Sequence, residues 1–182
     1  LWDIQYGLWV NQGTNYIYSG GVYCQVNNSQ VTSNGQGWMN AGGDEVEIGP
    51  WSRGNVQVYR RCKVYKDLAM ARWLDIFVNP TNTPQTVSVK VYSCTNNTVA
   101  GVTTSSGGNA YTEKDFAFIT DHQQGRPSLL HLVCGPKSKV RPAVQIQGNN
   151  IYVNYNLVLA PSSTAVLCYW ESQGHTLAEL QE

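Results

Sequence analysis

The stretch GGDEVEIG, residues 42–49, puts Glu45 and Glu47 on one side of a strand, because successive side chains alternate. Their carboxylates would stand about 7 Å apart. Retaining glycosidases use roughly 5–5.5 Å and inverting ones more. The same pair could share a hard cation. Glu45 and Glu47 are nonetheless expected to form a solvated strand face that blunts an exposed edge. The three histidines, His122, His131 and His175, show no ligand spacing. Asp121–His122 falls in an expected turn, and His131 alternates within LLHLVC as a hydrogen-bonded core or edge residue. There is no GxSxG elbow, and no cysteine has a neighbour that would activate it. The chain is therefore expected to be non-catalytic, with no cofactor and no metal site.

Aromatic residues carry the stronger signal. Six Trp and eleven Tyr stand against three Phe. Polar-tipped rings suit places with one dry and one wet end: sandwich rims, sugar platforms and protein interfaces. Many crowd the first third, among them Trp2, Tyr6, Trp9, Tyr18 and Tyr23, and IYVNYN adds Tyr152 and Tyr155. In ARWLDIFVNPTNTPQTVSVKVYS, residues 71–93, two strands flank a turn and read as a hairpin. Val87, Val89 and Val91 make a dry face opposite Thr86, Ser88, Lys90 and Tyr92. In the first strand Leu74, Ile76 and Val78 read as the core face, which leaves Trp73, Asp75 and Phe77 on the outer one. Trp73, Asp75, Phe77 and Tyr92 are thus the candidate contacts for a ligand or a second subunit. Trp73 and Phe77 are expected to be covered by a further layer or by another copy.

The elements that must carry these residues are short alternating runs: GVYCQV, EVEI, VQVYRRCKVY, RWLDIFV, TVSVKVYS, FAFIT, LLHLVC, IYVNYNLVL and AVLCYW. Clusters rich in Gly, Asn, Pro and Ser separate them. In NPTNTP, Pro80 holds Asn79 in extended geometry. The pairs Gly20–Gly21, Gly42–Gly43 and Gly107–Gly108 mark backbone with positive φ. This spacing predicts an all-β, antiparallel, two-sheet sandwich over residues 1–175. A short helical tail is expected over 176–182, with Thr176 as N-cap and Glu179 three residues on. No linker or repeat interrupts the single domain.

At 182 residues the chain can bury a sizeable core. Charged residues make up 13% of it, about half the usual share of roughly 25%. Net charge is zero, so the basic footprint of a nucleic-acid binder is missing. The basic residues of RGNVQVYRRCKVYK, residues 53–66, read as a solvated strand face. No run approaches the roughly 20 apolar residues of a membrane-spanning helix. The opening LWDIQYGLWV already looks like a strand, as in a processed or excised segment. Cys24, Cys62, Cys94, Cys134 and Cys168 form no CxxC pair. Cys24 and Cys62 alternate into the core, where they act either as free thiols or in one or two disulfides. Asn27 and Asn96 begin glycosylation sequons.

In order along the chain, YSGG, GGDEVEIGP, VQVYRRCKVY, the 71–93 stretch, TSSGG, FAFITD and PSLLHLV resemble a β-sandwich module of large secreted proteins of environmental bacteria, planctomycetes among them. The likeness runs from about Trp2 to Gln173. It implies a non-catalytic extracellular or cell-surface module. Where such modules carry an acidic run after TD, this chain has TDHQQGRP, which speaks against calcium at the Asp121 loop. Two functions are open. One is a structural subunit that associates with copies of itself or with neighbouring domains into a surface or filamentous assembly, exchanging its opening strand (Trp2, Ile4, Tyr6, Trp9). The other is a carbohydrate-binding module using an exposed aromatic face. Near-zero charge and the Asn/Gln/Ser/Thr-rich surface favour the first. No nucleic-acid partner and no membrane insertion are expected.

Overall fold

The computed structural model describes residues 2–32, 37–65, 67–123 and 125–174. Along them run β1 (Asp3–Ile4), β2 (Val10–Gln12), β3 (Tyr18–Val26), β4 (Ser29–Gln30), β5 (Gly37–Met39), β6 (Glu45–Arg53), β7 (Val56–Tyr65), β8 (Met70–Asn79), β9 (Gln85–Thr95), β10 (Val99–Thr104), β11 (Ala117–His122), β12 (Ser128–Leu132), β13 (Ala143–Gln147), β14 (Asn150–Leu159) and β15 (Ser163–Gly174). One sheet has seven strands in the order β1-β2-β3-β9-β14-β13, with β4 paired to β3. The other has eight, in the order β10-β11-β12-β15-β8-β7-β6-β5. All the pairings are antiparallel, and the two sheets enclose a common core. The all-β sandwich expected from the alternating runs is what the chain adopts. The tail over 176–182 lies outside the described residues. The opening stretch is not one strand: β1 and β2 form a small hairpin at the edge of the seven-stranded sheet.

The stretch 71–93 is also not a hairpin. β8 pairs with β7 and β15, whereas β9 pairs with β3 and β14, so NPTNTP arches from one sheet to the other. Asn79 anchors the arch. Its buried side chain accepts from the Thr81 backbone N–H (3.0 Å) and donates to the carbonyls of Thr83 and Ala160 (2.8 Å each). The β14–β15 loop crosses beside it, with Ser162 N–H donating to the Thr81 carbonyl at 2.9 Å.

The phase of β8 is the reverse of the sequence expectation. Trp73, Asp75 and Phe77 are fully buried between the sheets, while Leu74, Ile76 and Val78 lie on the half-exposed outer face. Both faces of this strand are apolar, so the charge on Asp75 set the expected phase, and that charge has partners inside. Arg60, its cross-strand neighbour on β7, is also 0% exposed and places Nε 3.7 Å from Asp75 Oδ1. The Tyr169 hydroxyl donates to Asp75 Oδ2 at 2.7 Å, and Arg60 Nη2 donates to the Val22 carbonyl at 2.5 Å. A charge enters a core when it is paired and hydrogen-bonded. Arg60 therefore does not belong to the solvated face expected over residues 53–66. Trp73 stacks on Tyr169 with planes 4° apart, and its indole N–H donates to the Leu8 carbonyl at 2.7 Å.

A second buried network crosses the same sheet. The Tyr18 hydroxyl donates to Glu171 (2.9 Å), Glu171 meets His131 Nδ1 (2.8 Å), and His131 Nε2 lies 2.9 Å from the Thr120 hydroxyl. That hydroxyl also meets His122 Nε2 at 3.0 Å. His131 is thus the hydrogen-bonded core histidine expected. His122 is a buried strand residue of β11 rather than a turn residue. Burial, with His131 beside it, lowers the His122 pKa to about 4. The unfolded chain takes up this proton near pH 6.5, so stability should decline as pH falls from about 6.5 to about 4. Thermal melts across that window should show Tm falling by roughly 5 °C. The decline should flatten in His122→Gln, and an unchanged slope in that variant would contradict the assignment.

Candidate functional site

With Trp73 and Phe77 inside, the aromatic rings that share a solvent-facing side, all half-exposed, lie elsewhere. On the outer face of the seven-stranded sheet, Trp9, Tyr23, Tyr92 and Tyr152 form one continuous row. Successive ring centroids are 4.7, 6.1 and 5.2 Å apart, and neighbouring planes differ by 22–27°. Register explains the row. Tyr23 pairs with Tyr92 across β3–β9, and Tyr92 with Tyr152 across β9–β14, so all three Cβ atoms leave one side of the sheet. Trp9, just before β2, extends it by stacking on Tyr23. The row spans three neighbour spacings, roughly 14 Å. It is long enough to underlie an oligomer rather than a single small ring.

Backbone geometry makes room for it. A register shift in β3 between Gly20 and Tyr23 lets the Tyr23 ring fold over Gly20, whose φ is 144°. A Cβ at Gly20 would stand 2.8 Å from the Tyr23 ring, so the bare backbone is what permits this ring position. Gly43 and Gly107, the other expected positions, also have positive φ. Val22, a β-branched residue at φ 58°, is held in that strained conformation by Ser93, which accepts its N–H at 2.8 Å, and by Arg60 on its carbonyl.

Polar groups flank the row. The Tyr92 hydroxyl donates to Asn150 Oδ1 at 2.8 Å. Burial against its neighbours, with the Cys94 thiol nearby, pushes the Tyr92 pKa up to about 12, so it stays a donor at neutral pH. One step along the strands lies a parallel polar row, Gln25–Lys90–Asn154, in register across β3, β9 and β14. Ser88 and Asn156 follow as the next pair. Stacked rings beside amides, hydroxyls and one ammonium group match what pyranose rings present: apolar C–H faces rimmed with hydroxyls.

The other sequence candidates disperse. Tyr92 is the one of its group of four with an outward ring. Trp73, Asp75 and Phe77 have no exposed surface to offer a ligand or a second copy, because the opposite sheet covers them. In the opening segment, Trp2 and Ile4 pack against the core, Tyr6 is 73% exposed, and Trp9 joins the row. Asn27 sits exposed in a turn. Asn96 Nδ2, the atom a glycan would modify, donates to the carbonyls of Tyr16 and Tyr18. Glu45 pairs with Arg72, Glu47 with Arg61, and Asp44 with Lys63 (3.1 Å), forming an ion-pair ladder rather than a free acid pair. Among the described residues no His, Cys, Asp or Glu group could hold a metal, and all five cysteines are free thiols, Cys24 and Cys62 buried as expected. No described helix is long and apolar enough to cross a membrane. Sequence reasoning missed Trp9, Tyr23 and Tyr152 as partners of Tyr92. The signal was present in the alternation of β3 and β14, but which strands neighbour β9 was not.

No protein-family model and no curated protein matches the sequence. Solved structures match it in fold. A TPR-domain containing protein from Parabacteroides distasonis aligns over 88% of this chain and 38% of its own, at 11% identity and a TM-score of 0.60. A heparan sulfate lyase from Pedobacter heparinus aligns over 83% of this chain and 23% of its own, at 8% identity and a TM-score of 0.57. Heparinase III aligns over 86% and 24%, at 13% identity and a TM-score of 0.55. The likeness is one of fold. The chain spans about a quarter of the length of the last two and 38% of the first.

The outer face of the eight-stranded sheet has a different character. Leu74, Ile76 and Val78 of β8 lie beside Val166 and Trp170 of β15, with Val166 half exposed and Trp170 stacked on Tyr65. The ion-pair ladder borders this aliphatic strip.

Proposed function

We propose that this chain is a non-catalytic, carbohydrate-binding β-sandwich module of an extracellular protein, and that it holds polysaccharide along the outer face of its seven-stranded sheet. The observation that carries this is the row Trp9–Tyr23–Tyr92–Tyr152 with its flanking amides. Fold likeness to portions of a heparan sulfate lyase and of heparinase III supports it. The resemblance to secreted bacterial modules supports the non-catalytic, extracellular part of this reading. Sugar C–H faces pack on the aromatic row while Asn150, Asn154 and Gln25 exchange hydrogen bonds with hydroxyls. The test is affinity electrophoresis in gels containing soluble polysaccharides. Tyr92→Ala should weaken binding at least about tenfold, a loss of roughly 1.4 kcal/mol, without lowering Tm appreciably. Undiminished retardation of Tyr92→Ala would sink the reading.

The aliphatic outer face of the eight-stranded sheet favours a second role, packing against a copy or a neighbouring domain. Light scattering over a wide concentration range reads it. Mass that grows with concentration supports contact between copies, and a constant monomer mass excludes it.

A further inference from the structure

The binding face does not stop where β13 starts. β13 begins at Ala143 opposite Asn154, so its register places no residue opposite Asn156. Beside Asn154 and Asn156, segments 139–143 and 111–113 wall a groove of about 550 Å³. The walls are fixed to each other through a shared acceptor. The Asp115 backbone carbonyl accepts from the Tyr111 hydroxyl at 2.8 Å and from Arg141 Nη1 at 3.1 Å. The Asp115 carboxylate, fully buried, accepts from the N–H groups of Ser106 and Thr112 (2.9 Å each) and from the Thr112 hydroxyl (2.8 Å). Burial alone would raise its pKa, but these hydrogen bonds outweigh burial and hold it well below the usual carboxylate range. Arg141 also donates to Cys134 Sγ at 3.1 Å and to the Pro136 carbonyl at 2.5 Å, so its charge is locked in the wall.

The charge of the groove is one-sided. Its lining holds Lys139 and Arg141 against one carboxylate, Glu113. Lys90, the cross-strand partner of Asn154, adds a third cation where the groove opens onto the aromatic face. Such an excess of positive charge favours an anionic ligand over a neutral one. We propose that the groove receives the anionic substituent, carboxylate or sulfate, of an acidic polysaccharide whose rings lie along the aromatic row. Lysine and arginine supply charge-assisted hydrogen bonds to such groups, and Asn154 and Asn156 meet the adjoining hydroxyls.

This rests on the glycan-binding reading, and the test separates the two. The whole chain is run in affinity gels against dextran, dextran sulfate and polygalacturonate, as wild type, as Lys90→Ala/Lys139→Ala and as Tyr92→Ala. Wild type should bind at least one acidic polymer about tenfold more tightly than dextran. The double lysine variant should lose that margin, binding acidic polymer no more tightly than dextran, and Tyr92→Ala should lose affinity throughout. Which acidic polymer responds tells sulfate from carboxylate. Equal binding of neutral and acidic polymers overturns the groove proposal and leaves the aromatic reading standing. An acidic preference that survives in the double variant also overturns it. No binding to any of the three overturns the groove proposal; no binding to a wider panel of neutral glycans as well removes the aromatic reading with it.

Discussion

Replacing Asp75 by alanine should destabilise the domain by about 3–5 kcal/mol, because it leaves the Arg60 guanidinium buried without its counter-charge. Arg60 and Asp75 are both 0% exposed. The Tyr169 hydroxyl loses its acceptor at the same time. For a domain of this size, Tm should drop by roughly 10 °C or more. Arg60→Met/Asp75→Leu, which removes both charges and keeps volume, should recover most of the loss, as buried ion pairs exchanged for apolar residues often do. Urea denaturation of the wild type and the two variants measures this. A change below about 1 kcal/mol in Asp75→Ala would place the pair in a wet environment and contradict the buried arrangement.

Removing residues 1–10 should be still more damaging. Trp2 lies edge-on to Trp73 at 5.9 Å and 6.5 Å from Tyr18. Leu8 and Val10 are buried, and the Leu8 carbonyl is the acceptor for the Trp73 indole. Losing one large and two aliphatic contacts, with a buried donor left unpaired, costs on the order of 5 kcal/mol or more. Total domain stability is typically about 5–15 kcal/mol. The truncated chain should therefore be unfolded or melt near room temperature. The strand-exchange idea requires the remainder to stay folded without this segment. Circular dichroism of the truncated chain decides: a cooperative melt near the wild-type Tm would show that the segment is dispensable and revive exchange.

The fold was legible where one periodicity dominated. In β9 the valines at 87, 89 and 91 alternate with Thr, Ser and Lys, and their burial follows that pattern. β7 matches VQVYRRCKVY from end to end. Failures cluster where hydrophobicity is equal on both faces. In β8 the two faces are Trp73/Phe77 and Leu74/Ile76/Val78, and only the rule that charges stay outside could separate them. That rule fails here because Arg60 sets a counter-charge beside Asp75 Oδ1 and Tyr169, distant in sequence, donates to Oδ2. Short edge strands such as β5 and β13 gave little signal, since three to five residues of mixed polarity resemble loops. The arch after Asn79 was misread for a related reason. A six-residue turn joins strands equally well within a sheet or between sheets, and only long-range pairing decides. The aromatic row has the same origin: each ring is visible in the sequence, but their adjacency is a property of strand order.

The central claim is that glycan lies along the seven-stranded sheet. The most direct measurement is a map of backbone amide chemical shifts during titration with a soluble polysaccharide that the affinity gels show to bind. The account predicts perturbations concentrated on Trp9, Tyr23, Tyr92, Tyr152 and the Gln25–Lys90–Asn154 row, with the outer face of β8 and β15 unmoved. Perturbations centred instead on Leu74, Ile76, Val166 and Trp170 would contradict it and move the site to the opposite sheet.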